Sequence, residues 1–333
     1  MSKDFEPGNL IKEAEQTQYA LRSSFFYRLH GVWDALLSLV EEHSSKKLDW
    51  RARKALGIST AAWDKVALEM VSPALVFCHP SVITSEPRLI AYYRCLALLP
   101  QKGMQRLASS TQRQEDGKSG IDHERASAVA KAVNEILSLL IESDPDWKLE
   151  CARTAAIMNY GTQVNGSWRN AIGEEGANRV KDLLVSHLVG SNVVREVAIS
   201  NGARVAMSTS PPAVSDMRAL ILKTGYVVAF GSEPDVSIRD AHRTLVGTIE
   251  VKYGLDPAGA LERYGAAMRS FQAAVRENAR VINIYLASCF TPELRRRMNE
   301  DRLVNQDFNL LEVLGDKDRR LRFLDYVRRL VGL

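Results

Sequence analysis

Between Val193 and Val251 the sequence breaks into five short β-branched runs. They are Val193–Ile199, Met217–Leu222, Tyr226–Phe230, Val236–Ile238 and Val246–Val251. Turn-forming residues part them, notably Asn201-Gly202, Pro211-Pro212, Lys223-Thr224-Gly225 and Gly231. Runs this short satisfy their backbone groups only by pairing, so a sheet is required. A helix from Trp168 to about Leu188 precedes them, with Ala171, Ala177, Val180, Leu183, Leu184 and Leu188 as its apolar positions. A second helix follows, with Asp256 expected as N-cap and Pro257 as first residue, running to about Asn278. Val281–Ala287 then reads as a buried strand. The order helix, strands, helix, strand specifies an α/β protein whose mixed sheet is flanked by helices.

Residues 10–150 carry a different period. Leu21, Phe25, Leu29, Val32, Leu36 and Leu39–Val40 recur at helical spacing, as do Val129, Val133, Ile136–Leu137 and Leu140–Ile141. Gln112–Asp122 reads as an exposed loop, and Asp144-Pro145-Asp146 as the stop of one helix and the start of another. The stretch from Pro292 to Leu330 is expected to be mostly helical. We therefore expect a mostly helical N-terminal region over residues 1–160 and an α/β core over residues 161–333 with a basic helical C-terminus.

Several function classes are excluded on composition and motif. No run of roughly 18 apolar residues is present to span a bilayer. Met1–Gly8 lacks the basic-then-apolar layout of a signal peptide. Cys78, Cys95, Cys151 and Cys289 are dispersed and form no CxxC pair, which fits reduced thiols in a cytoplasmic protein. The histidines show no HExxH spacing, and neither GxxxxGK[ST] nor GxGxxG occurs at a strand–helix junction. From Cys151 onward, 25 Lys and Arg stand against 20 Asp and Glu, with arginine strongly preferred. A basic excess confined to one part of a chain suits a phosphate-bearing partner.

Chemistry concentrates in Gly231-Ser-Glu-Pro-Asp235-Val-Ser-Ile238 and Gly247-Thr-Ile-Glu250-Val-Lys252. Asp235 opens a short strand after a proline. Glu250 and Lys252 are two apart on the next strand and so share a face, while Ile249 and Val251 point to the other, towards a core. Two adjacent antiparallel strands thus bring an aspartate and a glutamate within reach of a single cation, with a lysine beside them. Mg²⁺ takes hard oxygen ligands, few of them carboxylates, and leaves room for water and phosphate. The residue types match hydrolysis of a phosphodiester, with Asp235 and Glu250 as metal ligands, the Val251 carbonyl as a further ligand, and Lys252 to position or activate water.

This Pro-Asp…Glu-x-Lys signature resembles the PD-(D/E)xK nuclease superfamily. More narrowly, Glu250-Val-Lys-Tyr-Gly-Leu-Asp-Pro-Ala-Gly-Ala-Leu-Glu-Arg-Tyr-Gly-Ala-Ala267 resembles type II restriction endonucleases of the XcyI/Cfr9I group, with the likeness densest from Gly231 to Phe271. The resemblance implies Mg²⁺-dependent cleavage of double-stranded DNA at CCCGGG leaving 5′-phosphate ends. It also implies a homodimer on a palindromic site and a partner DNA methyltransferase. Many superfamily members carry a further glutamate on the helix before the first strand; helical phase selects Glu175 over Glu174 as a fourth catalytic residue. Asp216, ahead of the second run, reads as a turn residue.

Other features bear on recognition. Residues 51–71 have a helix-turn-helix look, with Gly57 at the turn, Ser59 capping the second helix, and Thr60, Ala61 and Lys65 towards bases. Arg295-Arg296-Arg297 and Arg319, Arg320 and Arg322 are candidate contacts to phosphate or guanine, or solvated helix faces. Arg263 is a further candidate for phosphate, and His242 reads as an exposed turn residue. Two other readings use the same residues: a repair or junction-resolving nuclease that reads DNA shape, and a non-catalytic DNA-binding protein reading through residues 51–71.

Overall fold

The helical period before residue 150 becomes eight helices: α1 (Pro7–Ser44), α2 (Thr60–Leu68), α3 (Pro80–Ser85), α4 (Leu89–Leu96), α5 (Gln101–Leu107), α6 (Gln112–Glu115), α7 (His123–Ser143) and α8 (Leu149–Gly190). The computed structural model describes residues 7–207 and 212–333, so Met1–Glu6 and the Pro211 half of the expected Pro211-Pro212 turn lie outside the described residues. The chain divides into two compact units, one of residues Leu21–Trp168 and one combining Met1–Ala20 with Arg169–Leu333. Both boundaries fall inside helices, α1 and α8.

In the Leu21–Trp168 unit, α7 buries Ala126, Val129, Ala130, Val133, Leu137 and Ile141, one apolar stripe at helical spacing. Asp122 caps it, its side chain accepting from Arg125 N. Asn134 is buried on the same stripe and accepts from Cys78 N at 2.7 Å while donating to the carbonyls of Cys78 and Leu56. Arg94 and Glu115 form a buried ion pair, 1% and 4% exposed, with an Nη2–Oε2 distance of 2.9 Å. The Gln112–Asp122 loop is shorter than expected, because α6 takes up its first four residues.

Residues 51–71 do not form a helix-turn-helix. Ser59 does cap α2, but Arg51–Gly57 is a run of turns rather than a first helix, and Gly57 has a φ of +78°. Lys65 donates to the carbonyls of Ile141 and Asp144, so it serves the end of α7 rather than facing outward.

The other unit is built on an eight-stranded sheet: β1 (Val194–Ile199), β2 (Arg204–Ala206), β3 (Met217–Leu222), β4 (Val227–Phe230), β5 (Val236–Arg239), β6 (Leu245–Lys252), β7 (Ile282–Ala287) and β8 (Gln306–Asn309). The spatial order is β2-β1-β3-β4-β5-β6-β7-β8. Pairing is antiparallel from β2 to β6 and parallel from β6 to β8. The protein is thus α/β, with a mixed sheet flanked by helices and a mostly helical N-terminal region. The parallel crossover from β6 to β7 is made by α9 (Ala260–Glu277), which buries Ala260, Tyr264, Ala267, Phe271 and Ala274 at helical spacing. Three further helices follow: α10 (Pro292–Asp301), α11 (Leu310–Gly315) and α12 (Lys317–Leu330).

Two expectations are corrected here. The helix expected from Trp168 starts at Leu149 and runs unbroken for 42 residues. Asp256 does not cap α9; its carboxylate accepts from Ala258 N in a local turn, Ala260 N bonds to Pro257 O, and the helix begins at Ala260. The stretch after Pro292 is mostly helical, as expected, and Gln306–Asn309 adds a strand parallel to β7. Asp216 ends a short 3₁₀ turn before β3, as expected.

Candidate active site

The end of β6 gathers the chemistry. Pairing of Val236 with Ile249 and Ser237 with Thr248 sets Asp235 across from Glu250. Along β6, Gly247, Ile249 and Val251 turn to one face and Thr248, Glu250 and Lys252 to the other. Ile249 and Val251 are core residues, as the alternation required.

Asp235 Oδ2 accepts from the backbone N–H of Val251 at 2.7 Å. The Val251 carbonyl leaves the strand on the same side as that N–H, towards Asp235, beyond the last pair of the β5–β6 ladder. Lys252 Nζ lies 2.6 Å from Glu250 Oε2 and 3.7 Å from Asp235 Oδ2. All three side chains are withdrawn from solvent, Glu250 to 2% exposure. Burial pushes the Glu250 and Asp235 carboxyls above their ordinary values, and the neighbouring Lys252 ammonium opposes the rise.

One oxygen is left over. Glu250 Oε1 is buried without a hydrogen-bond partner among the described residues. Ser270, 8% exposed on α9, stands beside Glu250 and pulls its pKa down slightly. Its own Oγ does not reach hydrogen-bond geometry with any partner among the described residues. Native proteins rarely leave buried polar atoms unmatched, and two desolvated carboxylates with a spare oxygen form a donor set suited to a hard cation. The residues present therefore fit Mg²⁺ held by Asp235, Glu250 and the Val251 carbonyl. Among the described residues, no three His, Cys, Asp or Glu side chains gather as a metal cluster.

Glu175 stands apart from that pair. α8 packs on the opposite face of β6, where Val251 and Tyr253 point: a Cβ at Gly176 would lie 2.4 Å from Tyr253 Cβ and 3.5 Å from Val251 Cγ1. Glu175 Oε1 accepts from Arg179 Nε at 2.7 Å, and the Arg179 guanidinium lies 5.6 Å from the centre of the Tyr253 ring. On α1, buried Gln18 donates to the Tyr253 carbonyl at 2.7 Å. Gly176, Arg179 and Gln18 thus fix the residue that follows Lys252. Sequence reading missed Gln18, Ser270 and Gly176, which come from segments remote from the motif. Arg263 donates to the Asp256 carbonyl at 2.5 Å, so it ties down the loop after β6. His242 is exposed in the β5–β6 turn, as expected.

The raised carboxyls have a testable consequence. In metal-free protein the folded chain holds these protons more tightly than the unfolded chain does. Their contribution to stability is full below the ordinary carboxylate range and is lost as pH rises through the raised folded values. Glu250→Gln removes that loss. Its melting temperature in EDTA at neutral pH should exceed that of the wild type, and the gap should close towards acid pH. A lower melting temperature at neutral pH would show that Lys252 already stabilises the charge fully.

Comparison with known proteins gives the chain its family. A profile of the XcyI restriction endonuclease family matches residues 27–317. The type II restriction enzyme XcyI of Xanthomonas campestris pv. cyanopsidis is 25% identical over 264 residues, covering 74% of this chain and 73% of that enzyme. With the match running through the helical region, the sheet and the Asp235–Glu250–Lys252 site, the chain belongs to the XcyI restriction endonuclease family.

Proposed function

We propose that this family member is a Mg²⁺-dependent type II restriction endonuclease that hydrolyses double-stranded DNA at a palindromic GC-rich site, CCCGGG, leaving 5′-phosphate ends. The observation that carries the reading is the buried, unpartnered Glu250 Oε1 across from Asp235, with Lys252 2.6 Å from the other Glu250 oxygen. Asp235, Glu250 and the Val251 carbonyl would hold the cation. Bound Mg²⁺ supplies positive charge against the phosphate and makes water a better nucleophile. Lys252 orients the attacking water and stabilises the negative charge that grows on the phosphoryl oxygens of the pentavalent transition state. The β-sheet walls lower the local dielectric, which strengthens both effects.

Two copies related by a twofold axis place one such site on each strand of a palindrome, so a homodimer is part of the proposal. So are a cytoplasmic setting and a cognate DNA methyltransferase as functional partner, which protects the host's own sites. The specificity for CCCGGG follows from the likeness of Glu250–Ala267 to the XcyI/Cfr9I group.

The test is digestion of unmethylated plasmid carrying a single CCCGGG, with Mg²⁺ and with EDTA, beside Asp235→Ala, followed by sequencing of the ends. A single Mg²⁺-dependent cut at the hexamer, absent in the variant, is expected. Folded protein that leaves the plasmid intact would sink the proposal.

Glu175 enters as a positioning residue acting through Arg179 and Tyr253 on the strand end that carries Lys252. Glu175→Ala should slow cleavage about tenfold, as loss of outer partners of a metal site does. Glu175→Gln, which keeps an acceptor for Arg179, should restore most of the rate. Wild-type turnover by Glu175→Ala would make it a surface glutamate.

A further inference from the structure

The three parallel strands end in one row: Lys252 pairs with Ala287, and Ala287 with Asn309. Just past that row lies a cavity of about 690 Å³. Ligands of α/β sheets bind outside the carboxyl ends of parallel strands, where this cavity sits. It adjoins the active site, because Ser288 N donates to the Lys252 carbonyl at 2.9 Å and Ser288 lines the cavity.

The cavity sorts the arginines that sequence left equivalent. Arg320 is spent on the carbonyls of Val313 and Leu314. Arg296 and Arg297 pair with Glu300 and Asp301 along α10. Arg295, Arg319 and Arg322 line the cavity instead. Arg295 Nη1 lies 2.6 Å from Asp307 Oδ2, with its guanidinium 4.0 Å from the centre of the Phe290 ring. Arg319 Nε lies 3.4 Å from Glu312 Oε2. Arg322 is exposed and has no ion pair or hydrogen bond among the described residues.

A phosphate site would show unbalanced positive charge. Here three arginines meet the carboxylates of Asp307, Glu312 and Glu15, so the lining is formally neutral. What it offers is fixed donors beside fixed acceptors. Guanine presents acceptors to an arginine fork in the major groove, and its partner cytosine presents an amino donor to a carboxylate. The Arg–carboxylate couples match that edge. A further polar atom waits for a partner: Ser288 Oγ, in a side chain 7% exposed, is buried and unmatched. Asn309 uses its carbonyl oxygen to cap α11, which leaves its amide to donate.

We propose that this cavity is a base-reading site for G·C pairs in duplex DNA, with Arg322 as its free guanine donor and the Arg295–Asp307 and Arg319–Glu312 couples as its fixed donors and acceptors. The inference rests on the reading of the chain as a DNA-cutting enzyme.

The experiment is selection of bound sequences from a pool of randomised duplexes by the full chain, with Ca²⁺ in place of Mg²⁺, for wild type, Arg322→Ala and Arg322→Lys. Wild type should enrich a motif containing G·C pairs. Arg322→Ala and Arg322→Lys should both lose the preference for guanine at one position. Affinity for the selected duplex should fall roughly tenfold to a hundredfold, with affinity for unselected duplex nearly unchanged. An unchanged motif, an equal loss on both duplexes, or no motif with wild type would each overturn the proposal. Protein that cuts plasmid while its motif ignores Arg322 keeps the nuclease reading and loses this one. Protein that selects a motif through Arg322 without ever cutting does the reverse.

Discussion

Lys252→Ala should lower the rate of DNA cleavage by roughly a hundredfold to a thousandfold, the usual cost of removing one group that stabilises transition-state charge. Binding of the same duplex in Ca²⁺ should change little. The reason is local. Lys252 projects from the face of β6 that carries Glu250, and its Nζ reaches both carboxylates rather than the surface. A second effect should accompany the first. Without the ammonium, Asp235 and Glu250 face each other in a desolvated site with nothing to offset their repulsion, so the variant should melt lower than wild type in EDTA. Added Mg²⁺ should recover more of that loss in the variant than it adds to the wild type. A variant that turns over at the wild-type rate would remove Lys252 from the chemistry.

The largest effect on stability is expected far from the site, at Glu115→Ala. Arg94 is held by Glu115 through three hydrogen bonds of 2.9 to 3.2 Å, by the Leu99 carbonyl at 2.7 Å and by Gln163 at 2.7 Å. Thr111 and Gln101 also donate to Glu115. Truncating the carboxylate leaves a guanidinium buried at 1% exposure without its counter-charge. Breaking one half of such a pair costs about 3–5 kcal/mol. That is a large share of the 5–15 kcal/mol that holds a typical domain together. Urea unfolding followed by tryptophan fluorescence measures it, since Trp33, Trp50, Trp63 and Trp147 all belong to this core. Arg94→Met with Glu115→Leu should recover much of the loss, because a well-packed apolar pair carries no desolvation penalty. A single variant as stable as wild type would mean that water enters to replace the carboxylate.

The juxtaposition of Asp235, Glu250 and Lys252 was legible because its geometry is short-range. Strand alternation fixes Glu250 and Lys252 on one face, and a two-strand hairpin carries Asp235 to them. What supports the trio was not legible. Gln18 reaches Tyr253 across 235 positions of sequence, and Ser270 meets Glu250 only because α9 folds back over β6. β8 escaped notice for a different reason. Gln-Asp-Phe-Asn is an edge strand with all four residues half-buried, so it shows no alternation between an apolar and a polar face. α8 was read too short because Gly161 and Gly166 interrupt its apolar pattern ahead of Trp168. Glycine costs about 1 kcal/mol in a helix interior. At Gly176 close approach to Tyr253 requires it. Asp256 followed by Pro257 has the form of a helix start, yet its bond from Ala258 N closes only a local turn and α9 begins later, at Ala260.

The unit that carries Asp235, Glu250 and Lys252 is assembled from both ends of the chain, whereas Leu21–Trp168 is continuous. During synthesis a continuous unit can fold as soon as it has emerged, and domains generally do so from the N-terminus. The sheet has no such freedom: β8 ends at Asn309, and Gln18 must wait for Tyr253 to arrive more than two hundred residues later. Until β8 has emerged, the sheet that carries Asp235, Glu250 and Lys252 lacks its last strand, whatever Leu21–Trp168 has already become. A messenger broken between the codons of Trp168 and those of β8 therefore encodes the whole helical unit beside an unfinished sheet.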